Sequence, residues 1–108
     1  MSLWLFMAQR VSAIVMAPLV IGHIILMIVA VQNGLTAGEI LARTRGSVLW
    51  AAYYGVFVAA VSIHAAIGLR NVAGETFRWR GASLEWSAVA VAALFLAMGG
   101  RAVIAVVA

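Results

Sequence analysis

Long apolar stretches and short polar segments alternate along the chain, and three of the stretches are long enough to cross a membrane. Residues 11–38 and 46–69 carry no charged side chain, and a third apolar stretch begins near Leu84 and continues to the C-terminus. A membrane-spanning helix needs about 20 consecutive apolar residues. The pattern therefore predicts three spanning helices. The predicted spans are residues 4–31, 47–71 and 83–106.

The predicted fold class is all-α: an integral membrane protein whose three transmembrane helices form part of a heteromeric helix bundle. Within lipid, every backbone polar group must be bonded internally, and three such spans cannot close a β-barrel. Residues 1–108 are predicted to form a single transmembrane anchor domain. Residues 32–46 join the first two spans and are predicted to contain a short interfacial helical turn, because a few apolar residues stand there among polar ones.

The composition excludes a water-soluble globule. The chain is 67% hydrophobic and only 9% charged, whereas soluble domains are about 45–50% apolar and about 25% charged. Cys is absent, which excludes disulfides, thiolate metal sites, Cys nucleophiles and covalent attachment of a c-type haem. The seven basic residues are all Arg and stand at the ends of apolar stretches. They indicate membrane-flanking charges rather than nucleic-acid binding.

The distribution of arginines predicts the orientation of the chain. With three spans, the N-terminus and the second connection lie on one side of the membrane, and the first connection and the C-terminus lie on the other. The first side carries Arg10, Arg70, Arg78 and Arg80, and the second carries Arg43, Arg45 and Arg101. The excess favours an N-terminus on the inside. No cleavable signal is expected, because no basic segment precedes the first apolar stretch.

Small residues recur on one face of the second predicted span. They are Ala52, Gly55, Ala59, Ser62 and Ala66. Small side chains let helices approach closely in membranes. This face is therefore predicted to contact another helix, either within the chain or in a second subunit.

The two histidines, His23 and His64, each lie inside an apolar stretch. An imidazole in hydrocarbon needs a specific partner, which can be a hydrogen bond, a proton path or a metal. His23 is about 20 Å along its helix from Arg10, and His64 is about 9 Å from Arg70. If the two arginines share one interface, the imidazoles differ in depth by about 10 Å. They are therefore not expected to share one metal ion, and ligation by two imidazoles would require a histidine from another chain.

Gly68 lies one helical turn after His64 on the same face. The missing side chain is predicted to let a flat macrocycle lie against the helix there. A structural imidazole, bonded to a backbone carbonyl or to a Ser across helices, is the alternative for both histidines.

Two segments of the chain resemble a known family. The first is Gln-Arg-Val-Ser-Ala at residues 9–13, followed by His23 in the same span. The second is His-Ala-Ala-Ile-Gly-Leu-Arg at residues 64–70, followed by the acidic residue Glu75. They resemble the cytochrome b membrane-anchor subunit of succinate dehydrogenase and fumarate reductase, the C-type anchor of complex II. The number of spans and the length of the chain are similar as well.

The resemblance implies one or two haem b groups shared with a second membrane-anchor subunit. It implies that His64 is an axial ligand of the haem nearer the N-terminal side, and that His23 ligates a second haem nearer the opposite face. The residues implied for cofactor binding are His64, His23, Arg10, Arg70 and Gly68. Those implied for quinone contact are Arg10, Ser12 and Glu75, and none is implied to be catalytic.

The same resemblance implies a non-catalytic subunit of an oxidoreductase complex in the bacterial inner membrane, in contact with membrane lipid. A flavoprotein subunit and an iron–sulfur subunit would deliver electrons from succinate oxidation, a step of the tricarboxylic acid cycle, and this subunit would pass them to quinone. Two positions depart from the family pattern. Gln9 replaces the usual His, and Phe6 stands where ubiquinone-type members often carry a quinone-contacting Ser. The quinone type and its contact with this subunit therefore stay open.

Three other functions are compatible with parts of the pattern. The first is a b-type cytochrome anchor of a different membrane dehydrogenase. The second is a small proton-coupled exporter, although such a protein would need four spans and an acidic residue deep in the first. The acidic residues here, Glu39, Glu75 and Glu85, lie at helix ends or in connections. The third is a haem-free structural or assembly protein.

Overall fold

The computed structural model describes residues 3–34 and 36–108, except for the side chain of Ala37, and these residues form helices without any strand. The helices are α1 (Leu3–Asn33), α2 (Ala37–Thr44), α3 (Val48–Thr76) and α4 (Ala82–Val107). Three of them, α1, α3 and α4, are long and apolar enough to span a membrane. The all-α prediction with three spans is confirmed, and the chain is an integral membrane protein.

Helix α3 continues five residues beyond its predicted end, from residue 71 to Thr76. The additional turns pack on the start of α4: a Cβ built at Gly74 would lie 3.8 Å from Leu84 Cδ2, an ordinary packing distance. This tertiary contact stabilises polar turns that hydropathy alone leaves outside the span. As a consequence, Glu75 lies on the last turn of α3 rather than in a connection.

Side-chain caps define the short connection between α1 and α3. The Thr36 hydroxyl accepts a hydrogen bond from the Glu39 amide at 3.1 Å and begins α2. The Thr44 hydroxyl donates to the Val106 carbonyl at 2.6 Å, and the Gly46 amide donates to the Val107 carbonyl at 2.7 Å. The predicted interfacial turn is therefore a helix, and its last residue and the segment that follows it satisfy carbonyls at the C-terminal end of α4.

Helix α3 packs between α1 and α4, antiparallel to each. Where α1 packs on α3, Ser12 of α1 faces His64 of α3, and Gly22 of α1 faces Tyr53 of α3. Helix α1 continues through Pro18, and one residue later the Leu19 carbonyl accepts a 2.6 Å hydrogen bond from the Tyr53 hydroxyl. This bond satisfies the polar end of Tyr53 inside the apolar span.

Close packing of α3 against α4 depends on small side chains. Ser62 and Ala66 of the small-residue face are only 1% and 4% exposed, and Ala66 borders a cavity with residues of α4. Ala52 and Gly55, from the same predicted face, are exposed. The C-terminal half of the face thus contacts a helix of the same chain, and its N-terminal half faces outward.

Replacing Gly22 with Ala is expected to break the Tyr53 hydrogen bond. A Cβ at Gly22 would lie 2.7 Å from the Tyr53 hydroxyl oxygen, so this oxygen must move away from the Leu19 carbonyl. The expected loss of unfolding free energy is about 1 kcal/mol, the typical net contribution of one hydrogen bond. Thermal unfolding of the purified protein in its complex measures this loss.

Gly55→Ala is the matched control, because a Cβ at Gly55 meets no atom within 4 Å. In a Tyr53→Phe background, Gly22→Ala should cost little, because the clashing oxygen is gone. Equal destabilisation by Gly22→Ala with and without the Tyr53 hydroxyl would show that this explanation is wrong.

Candidate functional site

His64 lies on the face of α3 that packs against α1, in contact with a buried serine. Its Nδ1 is 3.4 Å from the Ser12 hydroxyl oxygen, slightly longer than the usual N–H···O distance of about 2.7–3.2 Å. Ser12 is only 5% exposed, and its hydroxyl donates to the Gln9 carbonyl at 3.0 Å. The structure therefore brings together His64 and Ser12, two of the residues predicted for the site.

The second ring nitrogen of His64 has no partner within residues 3–34 and 36–108. No hydrogen bond to Nε2 occurs in this part of the chain, and Nε2 is not among the buried unpartnered atoms. One nitrogen of the ring is thus turned to α1, and the other is open to a group from outside the chain. This is the arrangement that a metal-ligating imidazole adopts, with one nitrogen on the metal and the other on a neighbouring polar group.

Gln9 lies next to this site, although the sequence did not predict it as a site residue. A Cβ at Gly68 would lie 3.6 Å from Gln9 Nε2, so the missing side chain of Gly68 accommodates α1. The Gln9 Oε1 atom is buried and has no hydrogen-bond partner among the described residues. Gln9 and Ser12 are three residues apart and share one helix face, a signal that could have placed Gln9 at the site. Contact of Gly68 with a macrocycle stays a prediction.

His23 lies in an aromatic environment between α1 and α3. Its ring meets Tyr54 and Phe57 edge-on, with centroids 5.8 and 5.5 Å apart. Its Nδ1 is buried and has no hydrogen-bond partner in the described ranges. Such an atom costs free energy unless a group outside the chain pairs with it.

Three adjoining cavities surround His23 and Tyr54, with volumes of about 230, 330 and 330 Å³. They open along a groove over α3, between α1 and α4, and their walls are almost entirely apolar. Arg43 and Trp50 line the smallest one, at the end of the bundle that carries α2. Arg43 was not predicted as a site residue, because its distance from His23 in the sequence hides their proximity.

The two histidines lie at different heights in the bundle, as the spacing predicted. On α1, His23 lies 11 residues after Ser12, the neighbour of His64, or about 16 Å along the helix. On α3, Phe57, the neighbour of His23, lies seven residues before His64, or about 10 Å. The two rings of one chain therefore cannot face each other across a single metal ion.

The predicted charged residues gather at the end of the bundle where α1 begins and α3 ends, but they do not pair as one cluster. The Arg10 guanidinium lies over the Phe6 ring, 5.7 Å from its centroid. The Arg70 Nε donates to Glu85 Oε1 at 2.9 Å, and Arg70 Nη2 contacts the same oxygen. Glu75 is exposed on the last turn of α3.

Glu85 is the partner of Arg70 that sequence reasoning missed. In the described ranges, Arg70–Glu85 is the one ion pair between side chains. The pair links the end of α3 to the first turn of α4. Because it is partly exposed, at 17% for Arg70 and 51% for Glu85, the Arg70 guanidinium stays within reach of other anions at the membrane surface.

The chain matches a known protein family over nearly its whole length. A family model described as succinate dehydrogenase/fumarate reductase transmembrane subunit matches residues 1–105. No curated protein and no solved structure matches the chain.

Proposed function

This chain belongs to the succinate dehydrogenase/fumarate reductase transmembrane subunit family, and we propose that it is the haem b-binding membrane anchor that passes electrons from the iron–sulfur subunit to quinone. As a transmembrane subunit of this family it works in a complex with other subunits. The observation that carries the haem proposal is His64, which has one ring nitrogen on Ser12 and the other open.

The residues around His64 fit an axial imidazole ligand. Metal-bound imidazoles are neutral and donate their other N–H to a neighbouring polar group, and the Ser12 oxygen is within reach of Nδ1 at 3.4 Å. A haem bound there would carry one electron at a time, with a potential set by its axial ligands and buried charge. His64 would supply one ligand, and we propose that a second membrane-anchor subunit supplies the other.

His23 is proposed as a ligand of a second haem, nearer the opposite membrane face. The support is the apolar groove on which its ring lies. The aromatic rings of Tyr54 and Phe57 hold the imidazole edge-on. Arg43 lines the same groove and could pair with a carboxylate of the bound group.

Quinone is proposed to bind as substrate at the end of the bundle that carries Arg10 and Glu75. Arg10 is exposed, and a guanidinium donates to carbonyl oxygens as readily as it pairs with carboxylates. Arg70 is proposed to interact with haem carboxylates from the same end, in competition with Glu85. Ser12 was predicted to contact quinone, but its burial and its two neighbours favour a role beside His64.

The flavoprotein and iron–sulfur subunits are proposed to dock at this same end, for which the arginine distribution favours the inside of the cell. The chain itself has no Cys for a cluster, and no group of three metal-ligating side chains occurs in its described part. We propose that the other subunits oxidise succinate.

Purification of the intact complex through an affinity tag on this chain tests the proposed partners. We expect a flavoprotein, an iron–sulfur protein and a second small membrane protein in constant ratio, together with succinate-dependent reduction of quinone. Isolation with a different dehydrogenase would instead indicate that the chain is the b-type cytochrome anchor of that enzyme. Isolation without any soluble partner would contradict the proposal.

A further inference from the structure

We propose that Ser12 is a positioning residue that fixes which nitrogen of His64 is offered to iron, an inference that rests on the proposed haem ligation. The Ser12 hydroxyl oxygen accepts a hydrogen bond from the Nδ1–H of His64, and Nε2 is left as the nitrogen with a free lone pair.

The positions of the protons follow from the partners of the hydroxyl. A Ser hydroxyl has one proton to donate and two lone pairs that accept. The Gln9 carbonyl, 3.0 Å from Ser12 Oγ, can only accept, so the Ser12 O–H donates its hydrogen bond to this carbonyl. Toward His64 the same oxygen therefore presents a lone pair, 3.4 Å from Nδ1. The proton of the neutral imidazole then lies on Nδ1.

Burial makes this contact sensitive to substitution. Ser12 is 5% exposed and is one of two buried residues of α1, so water cannot readily replace its hydroxyl. The hydroxyl is tied to the backbone of α1 and the imidazole belongs to α3, so the contact orients the ring relative to the packed pair of helices. Loss of such a partner costs about 10- to 100-fold in metal affinity or activity.

Ser12→Ala in the intact complex tests the inference, and Ser62→Ala is its matched control. Ser62 is also buried and bonded to its own helix, with its hydroxyl 2.7 Å from the Val58 carbonyl, but it has no described hydrogen bond to a histidine. Two readouts are measured: the haem midpoint potential and the infrared band of the histidine ring that reports hydrogen bonding at Nδ1–H. Flavin content per complex serves as the measure of correct assembly.

Ser12→Ala should shift the infrared band and raise the midpoint potential, because a less basic imidazole stabilises ferric iron less. A shift in relative ferric over ferrous affinity of about tenfold is expected, which corresponds to about 59 mV for one electron. Ser62→Ala should leave the infrared band of His64 and the potential of the His64-dependent haem unchanged, and Ser12→Thr, which keeps the hydroxyl, should keep the wild-type infrared band. Loss of haem in Ser12→Ala at normal flavin content also supports the inference.

An unchanged band and potential in Ser12→Ala would overturn the role of Ser12 and leave haem ligation by His64 standing. Equal shifts in Ser12→Ala and Ser62→Ala, or in Ser12→Ala and Ser12→Thr, would likewise overturn it, because helix packing rather than the hydroxyl would then be the cause. A wild-type complex that contains no haem would instead remove the proposed function on which the inference rests.

Discussion

His64→Ala is expected to abolish the haem b that we propose to bind near the N-terminal side of the bundle. The substitution removes the nitrogen proposed to bind iron, and the chain cannot replace it, because its other histidine lies about 10 to 16 Å away along the helices. Haem content and reduced-minus-oxidised absorption of the purified complex measure the effect. Flavin content should stay at the wild-type level.

His23→Ala is the matched control for this prediction. It removes the other intramembrane imidazole but leaves His64 and its Ser12 contact in place. The His64-dependent haem should therefore persist in this variant, and only a haem at the His23 groove should be lost. Wild-type haem content and potential in His64→Ala would exclude His64 as a ligand.

Gly99→Ala is expected to be the most destabilising single-methyl addition among the described glycines. A Cβ at Gly99 would lie 2.5 Å from Val58 Cγ1, and also 3.0 Å from Cγ2 and 3.3 Å from Cβ of the same residue. Val is stiff at χ1, so the clash cannot be relieved by turning a flexible side-chain tip, and α4 must move away from α3. Overpacking of this kind costs about 1–3 kcal/mol, measured as a lower unfolding temperature of the complex.

Two variants separate this clash from a general effect of Ala in α4. Gly100→Ala adds the same methyl group one residue later, where a Cβ meets no atom within 4 Å, and should be nearly neutral. Val58→Ala should relieve the effect of Gly99→Ala, because it removes both clashing methyl groups. Similar destabilisation by Gly99→Ala and Gly100→Ala would contradict the described packing of α3 on α4.

The three spans were predictable because a membrane-spanning helix requires a long run of apolar residues, and such runs are visible directly in the sequence. The prediction ended α3 too early because the turns after residue 71 are held by the tertiary contact between Gly74 and Leu84, which hydropathy does not record. The family segments also identified the candidate residues of the site, since those motifs are local.

The pairing of these residues across helices was not predictable from local pattern. Ser12 and His64 were each identified, but which faces of α1 and α3 meet depends on packing. For the same reason Arg70 was not paired with Glu85: the turn between α3 and α4 decides which acidic residue comes within reach. The difference in height between the histidines was predictable, because it follows from helical rise alone.

The most direct test of haem binding is the ratio of haem to flavin in the intact wild-type complex, together with its oxidised and reduced absorption spectra. We expect the bands of a low-spin b-type haem with two imidazole ligands. A haem-to-flavin ratio near two is expected if both histidines ligate haem, and a ratio near one if only His64 does. A fully assembled complex with flavin and iron–sulfur clusters but no haem would contradict the central claim.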